Sequence, residues 1–385
     1  MASPYCSAFP VPPSAFDSVR RVLVISHLYL DPTRRGKLRA FAARDLDVTL
    51  GVPQRWTEAG LGRAIETIWE RQGGVEVFPI PVRRYVDAAT LQFRRHELRS
   101  LLRDKRPDLV QVEEEPLSGV AAQVVRAARR AGIPAVLFTQ ENVERPSSIL
   151  ARWRGRRTLE RVRGVIAGSD AAAELVRRER PDLAVAIIPQ IGVAVPPAPE
   201  HAYHEGLAIG CVGRLVPEKG LDTLLEALAE NRGERWHLTV VGEGPERERL
   251  ERITSEQRLA ARVRWTGALP PERLARLWPE LDVLVLPSRK QPAWPEPVGQ
   301  VLMEAMAHEV AVVGSDAGVI PEVIGDAGVI VPPGDPVALA AALRRLAADG
   351  ERRPLIQAAR ARALQRFSHD AVAGATMRFW EEILK

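Results

Sequence analysis

Short apolar runs recur along this chain, and stretches with helical spacing separate them. The runs fall at 22–26, 48–52, 75–80, 109–112, 135–138 and 165–167, with helical patterns such as 91–102 and 119–131 between them. Strands that are apolar throughout need cover on both faces, so the alternation predicts a parallel sheet sandwiched by helices. The pattern breaks once, at 194–200, where Pro196, Pro197 and Pro199 read as a linker. It then restarts, with strands at 207–212, 237–241, 263–266, 283–287, 310–314 and 328–331. Helices fit at 221–229, 246–256, 271–277, 300–307 and 337–348. The reading is two successive doubly wound α/β units, which suits 385 residues at roughly 100–200 per domain. The expected divisions are a loose tail at 1–19, a first domain at 20–195 and a second at 200–370. Ligands of open α/β sheets sit beyond the carboxyl ends of strands, so the residues that matter should follow strands.

Several classes drop out. Two cysteines, Cys6 and Cys211, cannot build a disulfide framework or a thiolate zinc site. No apolar run approaches the ~20 residues of a membrane span. The first nineteen residues lack the basic start and apolar heart of a signal peptide, so a cytoplasmic protein is expected. There is no Walker loop, no H-E-x-x-H and no G-x-S-x-G. The seven histidines lack metal-ligand spacing, and no metal is expected. A D-x-D at Asp45 and Asp47 could hold a cation, but it precedes a strand and reads as a polar turn.

Charge is uneven. Residues 1–197 hold 31 basic and 22 acidic side chains, whereas 198–385 hold 23 and 27. A basic first half can attract anionic lipid or phosphorylated ligands through its summed field. Only five of the 54 basic residues are lysines, so Lys37 and Lys219 stand out among arginines.

Four segments of the second half follow strands and carry chemistry. Gly213-Arg214-Leu215-Val216-Pro217-Glu218-Lys219-Gly220 offers a tight turn with two cations suited to a pyrophosphate. Val241-Gly242-Glu243-Gly244-Pro245 invites close approach by a ligand or by another segment. Glu296-Pro297-Val298-Gly299-Gln300 leads into a helix that contains Glu304. If both acids lie on one helix, eight residues separate them by about 12 Å of rise. The helix start would offer free N–H groups to a diphosphate. The fourth segment runs from Gly314 to Glu322 and also ends in an acid.

Together, in this order, these segments resemble the retaining glycosyltransferases of the GT-B fold, most closely family four. The resemblance runs from about Leu207 to Phe367. It implies two Rossmann-like domains facing across a cleft, with the nucleotide sugar in the second. It assigns the donor pyrophosphate to Gly213, Arg214 and Lys219, donor sugar hydroxyls to Glu296, backbone contacts to Val298 and Gly299, and the ribose to Glu304. Gly242, Gly267 and Ser288 would border the donor, and a last helix at 372–385 would cross back to the first domain. In the first domain, relatives carry His-Glu-Pro after the fourth strand, whereas this chain has Glu113-Glu114-Glu115-Pro116. His27, Lys37, Glu114 and Glu115 are the acceptor-side candidates.

The implied reaction moves a sugar from a UDP- or GDP-linked donor to a glycan, lipid-linked or small-molecule acceptor. Retention is expected and no cofactor is needed, with Arg214, Lys219 and Glu296 as the catalytic set. Arginines at 152–163 with Trp153 and Leu159 interleaved suggest peripheral contact with a membrane. The alternatives are another GT-B enzyme, such as a sugar-nucleotide epimerase or a phosphorylase, and a non-catalytic binding protein. A nucleic-acid partner is not expected, for want of a stacking platform.

Overall fold

The strand Arg21–Ile25 stands inside an eight-stranded sheet of a computed structural model that describes residues 19–57, 64–84, 91–144, 148–197, 205–290 and 299–385. In spatial order the strands are Ala184–Ile187, Gly164–Ala167, Ala135–Thr139, Leu109–Glu113, Arg21–Ile25, Asp47–Pro53, Val75–Ile80 and Glu70–Gln72. All pairs are parallel except the last, an antiparallel edge. The second sheet is wholly parallel, in the order Val263–Trp265, Trp236–Val241, Leu207–Val212, Val283–Leu286, Ala311–Ser315 and Val329–Val331. Each sheet is buried on both faces, as in the fully buried pattern of Leu109–Glu113 and of Ala311–Ser315. This is the GT-B architecture of two Rossmann-like units.

The strand orders fix where ligands can sit. In the first sheet the winding reverses between Arg21–Ile25 and Leu109–Glu113, and in the second between Leu207–Val212 and Val283–Leu286. Helical connections leave to opposite faces at such a point and open a crevice at the carboxyl ends. The loops there begin at Ser26 and Glu114 in one lobe, and at Gly213 and Pro287 in the other.

Some elements differ from the sequence pattern. The expected helix at 91–102 begins only at Arg95, because Gln92–Phe93 pairs with Val82–Arg84 as a short ribbon and buries Leu91 and Phe93. The strand Ala184–Ile187 escapes a reading from hydrophobicity because it is short and half-exposed throughout. Helices Asp170–Glu179 and Asp349–Arg362 add to those the sequence pattern predicts; the first is capped by Ser169, whose Oγ accepts the Ala172 amide. Asp45 sits in a turn with φ of 62° and Asp47 opens a strand, both exposed.

The last helix, His369–Leu384, packs on the first lobe. Trp380 is buried there, donates its indole N–H to Gln111 Oε1 at 2.8 Å, and lies 4.9 Å from the Phe41 ring. The chain crosses between lobes twice, and the crossings run together. Val193 donates to the Phe367 carbonyl at 2.8 Å, and His369 donates to the Val193 carbonyl at 3.2 Å. A side chain on Gly192 would collide with the His369 backbone, so glycine lets the two strands of this hinge touch.

Candidate active site

The turn after Leu207–Val212 is built by neighbouring backbone. Gly213 has φ of 155° and donates its N–H to the Val241 carbonyl at 2.9 Å. Arg214 is exposed, and the short helix Pro217–Lys219 brings Lys219 back so that its Cε passes the Gly213 α-carbon. Gly220, at φ 64°, presses against the Pro287 carbonyl, and Arg289 donates its N–H to the Glu218 carbonyl at 2.8 Å. Asp222 adds a clamp, since Arg249 and Arg289 both donate to its Oδ2, at 2.6 and 2.8 Å. The loops on the two sides of the switch point are thus one rigid floor beneath the two candidate phosphate ligands, Arg214 and Lys219.

Gly242 answers the question its sequence left open. A side chain there would strike the Gly213 carbonyl, so the close approach is by another segment, namely the Arg214–Lys219 turn. Gly242 also donates to the Gly267 carbonyl at 2.9 Å, which stacks three post-strand loops in sequence. Ser288 is buried, with its carbonyl accepting from Ser315 Oγ at 2.5 Å.

The helix Gln300–Ala307 is capped by Gly299, whose φ of 60° suits glycine. This corrects the eight-residue helical spacing of the two acids. Glu304 stands only just over one turn into the helix, and Glu296 precedes it. Glu296 and Val298 lie outside the described residues. Gln300 donates to Glu304 Oε1 at 2.7 Å. Burial raises the Glu304 carboxyl above its ordinary pKa, against the pull of Gln300 and of Arg34. Arg34 belongs to the first lobe, in the loop Pro32–Arg35. Its charge is felt at Glu304 of the other lobe, while its own ion pair is with Asp31 at 3.4 Å.

Opposite stand the acids after Leu109–Glu113. Glu114 is buried and its Oε1 accepts the His27 amide at 2.8 Å and lies 2.7 Å from His27 Nδ1. Burial works against protonation of His27, but Glu114 outweighs it and raises the imidazole pKa. The half-exposed His27 ring stacks on Trp56 at 4.7 Å. Arg34 lies within electrostatic reach of this imidazole as well. The charge of Arg34 thus acts on both His27 and Glu304.

Glu115 turns to the next strand. Its Oε2 accepts from Thr139 Oγ1 at 2.5 Å and its Oε1 from the Gln140 amide at 2.9 Å. Burial nevertheless pushes the carboxyl up to about 7. A carboxyl whose folded pKa is raised holds its proton longer in the folded than in the unfolded chain. The stability it confers is full below its ordinary value of 4.5 and is lost as pH rises through about 7. Melting of Glu115→Gln should accordingly lose part of the wild-type decline between those limits; identical pH profiles would disprove the assignment.

Lys37 departs from its expected role beside an acceptor. It is 1% exposed and its Nζ donates to Glu113 Oε1 at 2.6 Å. Gln111 Nε2 donates to the same oxygen at 2.6 Å, and Tyr29 OH donates to Glu113 Oε2 at 2.7 Å. Helix Gly36–Ala42 buries the whole ammonium stem, so Lys37 serves the interior beneath the cleft and cannot reach a ligand in it. Arg34 carries no site signal in the sequence, because its effect on Glu304 depends on how the lobes meet.

A second contact joins the lobes. Glu322, the acid ending the fourth segment, accepts the Asp170 amide at the start of helix Asp170–Glu179, at 3.0 Å. Among the described residues, no three His, Cys, Asp or Glu side chains gather as metal ligands, and no helix is long and apolar enough to cross a membrane.

Two family signatures match. "Glycosyl transferases group 1" covers residues 198–362 and "Glycosyl transferase 4-like domain" covers residues 32–190. The chain belongs to the GT-B glycosyltransferases. It is 34% identical over 200 residues to the 2-deoxystreptamine N-acetyl-D-glucosaminyltransferase of Streptomyces fradiae, covering 48% of this chain and 45% of that one. It is 37% identical over 148 residues to the GDP-mannose-dependent alpha-(1-6)-phosphatidylinositol monomannoside mannosyltransferase of Mycolicibacterium smegmatis, covering 37% and 39%. The matched stretches thus span less than half of either relative. Among solved structures, Anabaena Alr3699/HepE in complex with UDP superimposes with a TM-score of 0.69 over 94% of this chain and 100% of that one. At 17% identity that likeness is one of fold. In this glycosyltransferase the match of the second signature begins at Pro32, inside the loop that carries Arg34.

Proposed function

We propose that this glycosyltransferase moves a sugar from a UDP- or GDP-linked donor, with retention and without a metal, to a glycan, lipid-linked or small-molecule acceptor. The observation that carries this reading is the floor holding Arg214 and Lys219 at the switch point of the second sheet, beside the Gly299 start of the Glu304 helix. As the glycosidic bond breaks, negative charge grows on the leaving diphosphate. Two fixed cations and a helix start stabilise that charge and need not reorganise to do so. Glu304 would take ribose hydroxyls, and Glu296 and the backbone at Val298 and Gly299 would hold the sugar for cleavage. His27 and Glu114 would orient the acceptor, and closure about the hinge at Val193 and Ser368 would exclude water.

Thermal shift with UDP, GDP and ADP in the presence of EDTA tests the donor side. A ligand that binds only the folded state raises the melting temperature by mass action. One nucleotide should stabilise the wild type, and Glu304→Ala should lose most of that shift. No shift with any of the three would refute a preformed metal-free donor site. Product anomers determined by NMR would decide retention.

We also place the protein in the cytoplasm, resting on anionic membrane through its first lobe. The helix Ile149–Leu159 supports this: Ile149, Leu150 and Trp153 are 79%, 68% and 57% exposed, on a helix that also carries Arg152, Arg154, Arg156 and Arg157. Apolar side chains flanked by cations suit a bilayer interface. Leu150→Ser with Trp153→Ser should reduce recovery with anionic liposomes at low salt; unchanged recovery would argue against it.

A further inference from the structure

On the outer side of the first lobe, helices Arg95–Lys105 and Gly119–Arg130 lie side by side. Between them is a cavity of about 230 Å³ lined by Arg83, Arg95, Arg99, Arg126 and Arg130, and among the described residues no acidic side chain lines it. Gly119 and Ala122 contribute almost no side chain to its lining. The one amide rising from that helix, Gln123, is committed to the Phe93 backbone at 2.8 and 2.9 Å. No carboxylate among the described residues pairs with Arg95, Arg99, Arg126 or Arg130. Other surface arginines are neutralised, among them Arg21 by Asp108 and Arg180 by Asp182.

A second groove of about 550 Å³ shares Arg99 and Arg130 with the first and adds Arg106, together with Arg103, which is paired with Asp104 at 3.2 Å. The acid lining it, Asp108, is already bound by Arg21 and the Arg20 and Arg21 amides. The crowding extends to the turn after helix Ile149–Leu159, where burial and the nearby charges of Arg126 and Arg129 lower the Arg161 pKa. Guanidinium forks match phosphate oxygens in pairs, so converging arginines without counter-charges make a phosphate receptor. Pockets for whole small molecules run from about 300 Å³ upward, so the smaller cavity suits a phosphate or diphosphate group with the rest of its ligand along the adjoining groove.

We infer that this arginine-lined groove is an anion site of its own, which takes the phosphate or diphosphate group of a ligand other than the nucleotide-sugar donor. It lies on the helical layer of the first lobe, away from Arg214 and Lys219, and does not depend on the donor reading. Its lining includes Gly119, the residue after Ser118, whose amide donates to the Glu115 carbonyl at 2.9 Å. The bound anion would therefore sit at the outer margin of the acceptor side.

Titration calorimetry with inorganic pyrophosphate at low salt tests this in the full chain carrying Arg214→Ala and Lys219→Ala, so that the donor turn does not contribute. One saturable site is expected. Adding Arg99→Glu with Arg126→Glu should weaken it about tenfold or more, and the neutral pair Arg99→Gln with Arg126→Gln should weaken it less. These positions are exposed, so folding, checked by circular dichroism, is retained. Arg276→Glu with Arg353→Glu makes the same charge change on the other lobe and should alter affinity less than about twofold. Absence of saturable binding, or equal losses in both reversed pairs, overturns the site. Sedimentation with phosphatidylcholine vesicles, with and without phosphatidic acid, identifies the source. Recovery with phosphatidic acid that Arg99→Glu and Arg126→Glu abolish assigns the anion to a lipid head group. Pyrophosphate binding without vesicle recovery assigns it to a soluble diphosphate.

Discussion

Replacing both cations of the Gly213–Gly220 turn, as Arg214→Ala with Lys219→Ala, is expected to lower turnover about a thousandfold or more, because loss of even one preorganised charge-stabilising donor commonly costs 10²–10³ in rate. The two side chains reach the same place by different routes. Arg214 extends from the turn itself, and Lys219 is brought back by the helix Pro217–Lys219. The floor beneath them is held by backbone at Gly220, Pro287 and Arg289, so removing the cations should leave the loops in place. Melting temperature should then change little, and the loss should fall on kcat more than on KM, because the diphosphate gains charge only as the bond breaks. The measurement is steady-state turnover with the donor identified by nucleotide stabilisation. A loss below about tenfold would mean that the leaving group is neutralised elsewhere.

The second large effect is on stability. Lys37→Met should destabilise the first lobe by about 3–5 kcal/mol, the usual result of stranding one partner of a buried ion pair. Lys37 and Glu113 are each 1% exposed and 2.6 Å apart. With Lys37 gone, Tyr29 and Gln111 still donate to Glu113, which limits the loss without replacing the missing charge. For a lobe of this size that corresponds to a fall of roughly 10 °C in melting temperature. Lys37→Met combined with Glu113→Gln should recover much of it, because no buried charge is left unpaired. Equal melting of the single and double variants would show that packing of the lysine stem, and not the charge pair, is what matters.

Local regularities reveal most of the framework. Leu207–Val212, Pro271–Leu277 and Gln300–Ala307 occupy the residues their patterns predict, since apolar periodicity and glycine or proline punctuation act within a few residues. The helix expected at 91–102 shows the limit, because pairing of Gln92–Phe93 with Val82–Arg84 competes with helix formation and depends on a partner strand. The same limit explains the site. That Arg214 and Lys219 follow a strand is written locally. That Gly242 exists to admit the Gly213 carbonyl is decided by two loops meeting.

What the sequence determined alone was the pair of wound α/β units, the break between them and the chemistry placed after the strands of the second. Tertiary structure alone decided that Lys37 is interior, that the charge of Arg34 in one lobe acts on Glu304 of the other, and that five arginines from three elements converge on one cavity. Contacts between residues far apart in the chain, such as Lys37 with Glu113, leave no periodic trace in either segment. They arise only when packing brings the segments together, and burial then sets what each charge can do.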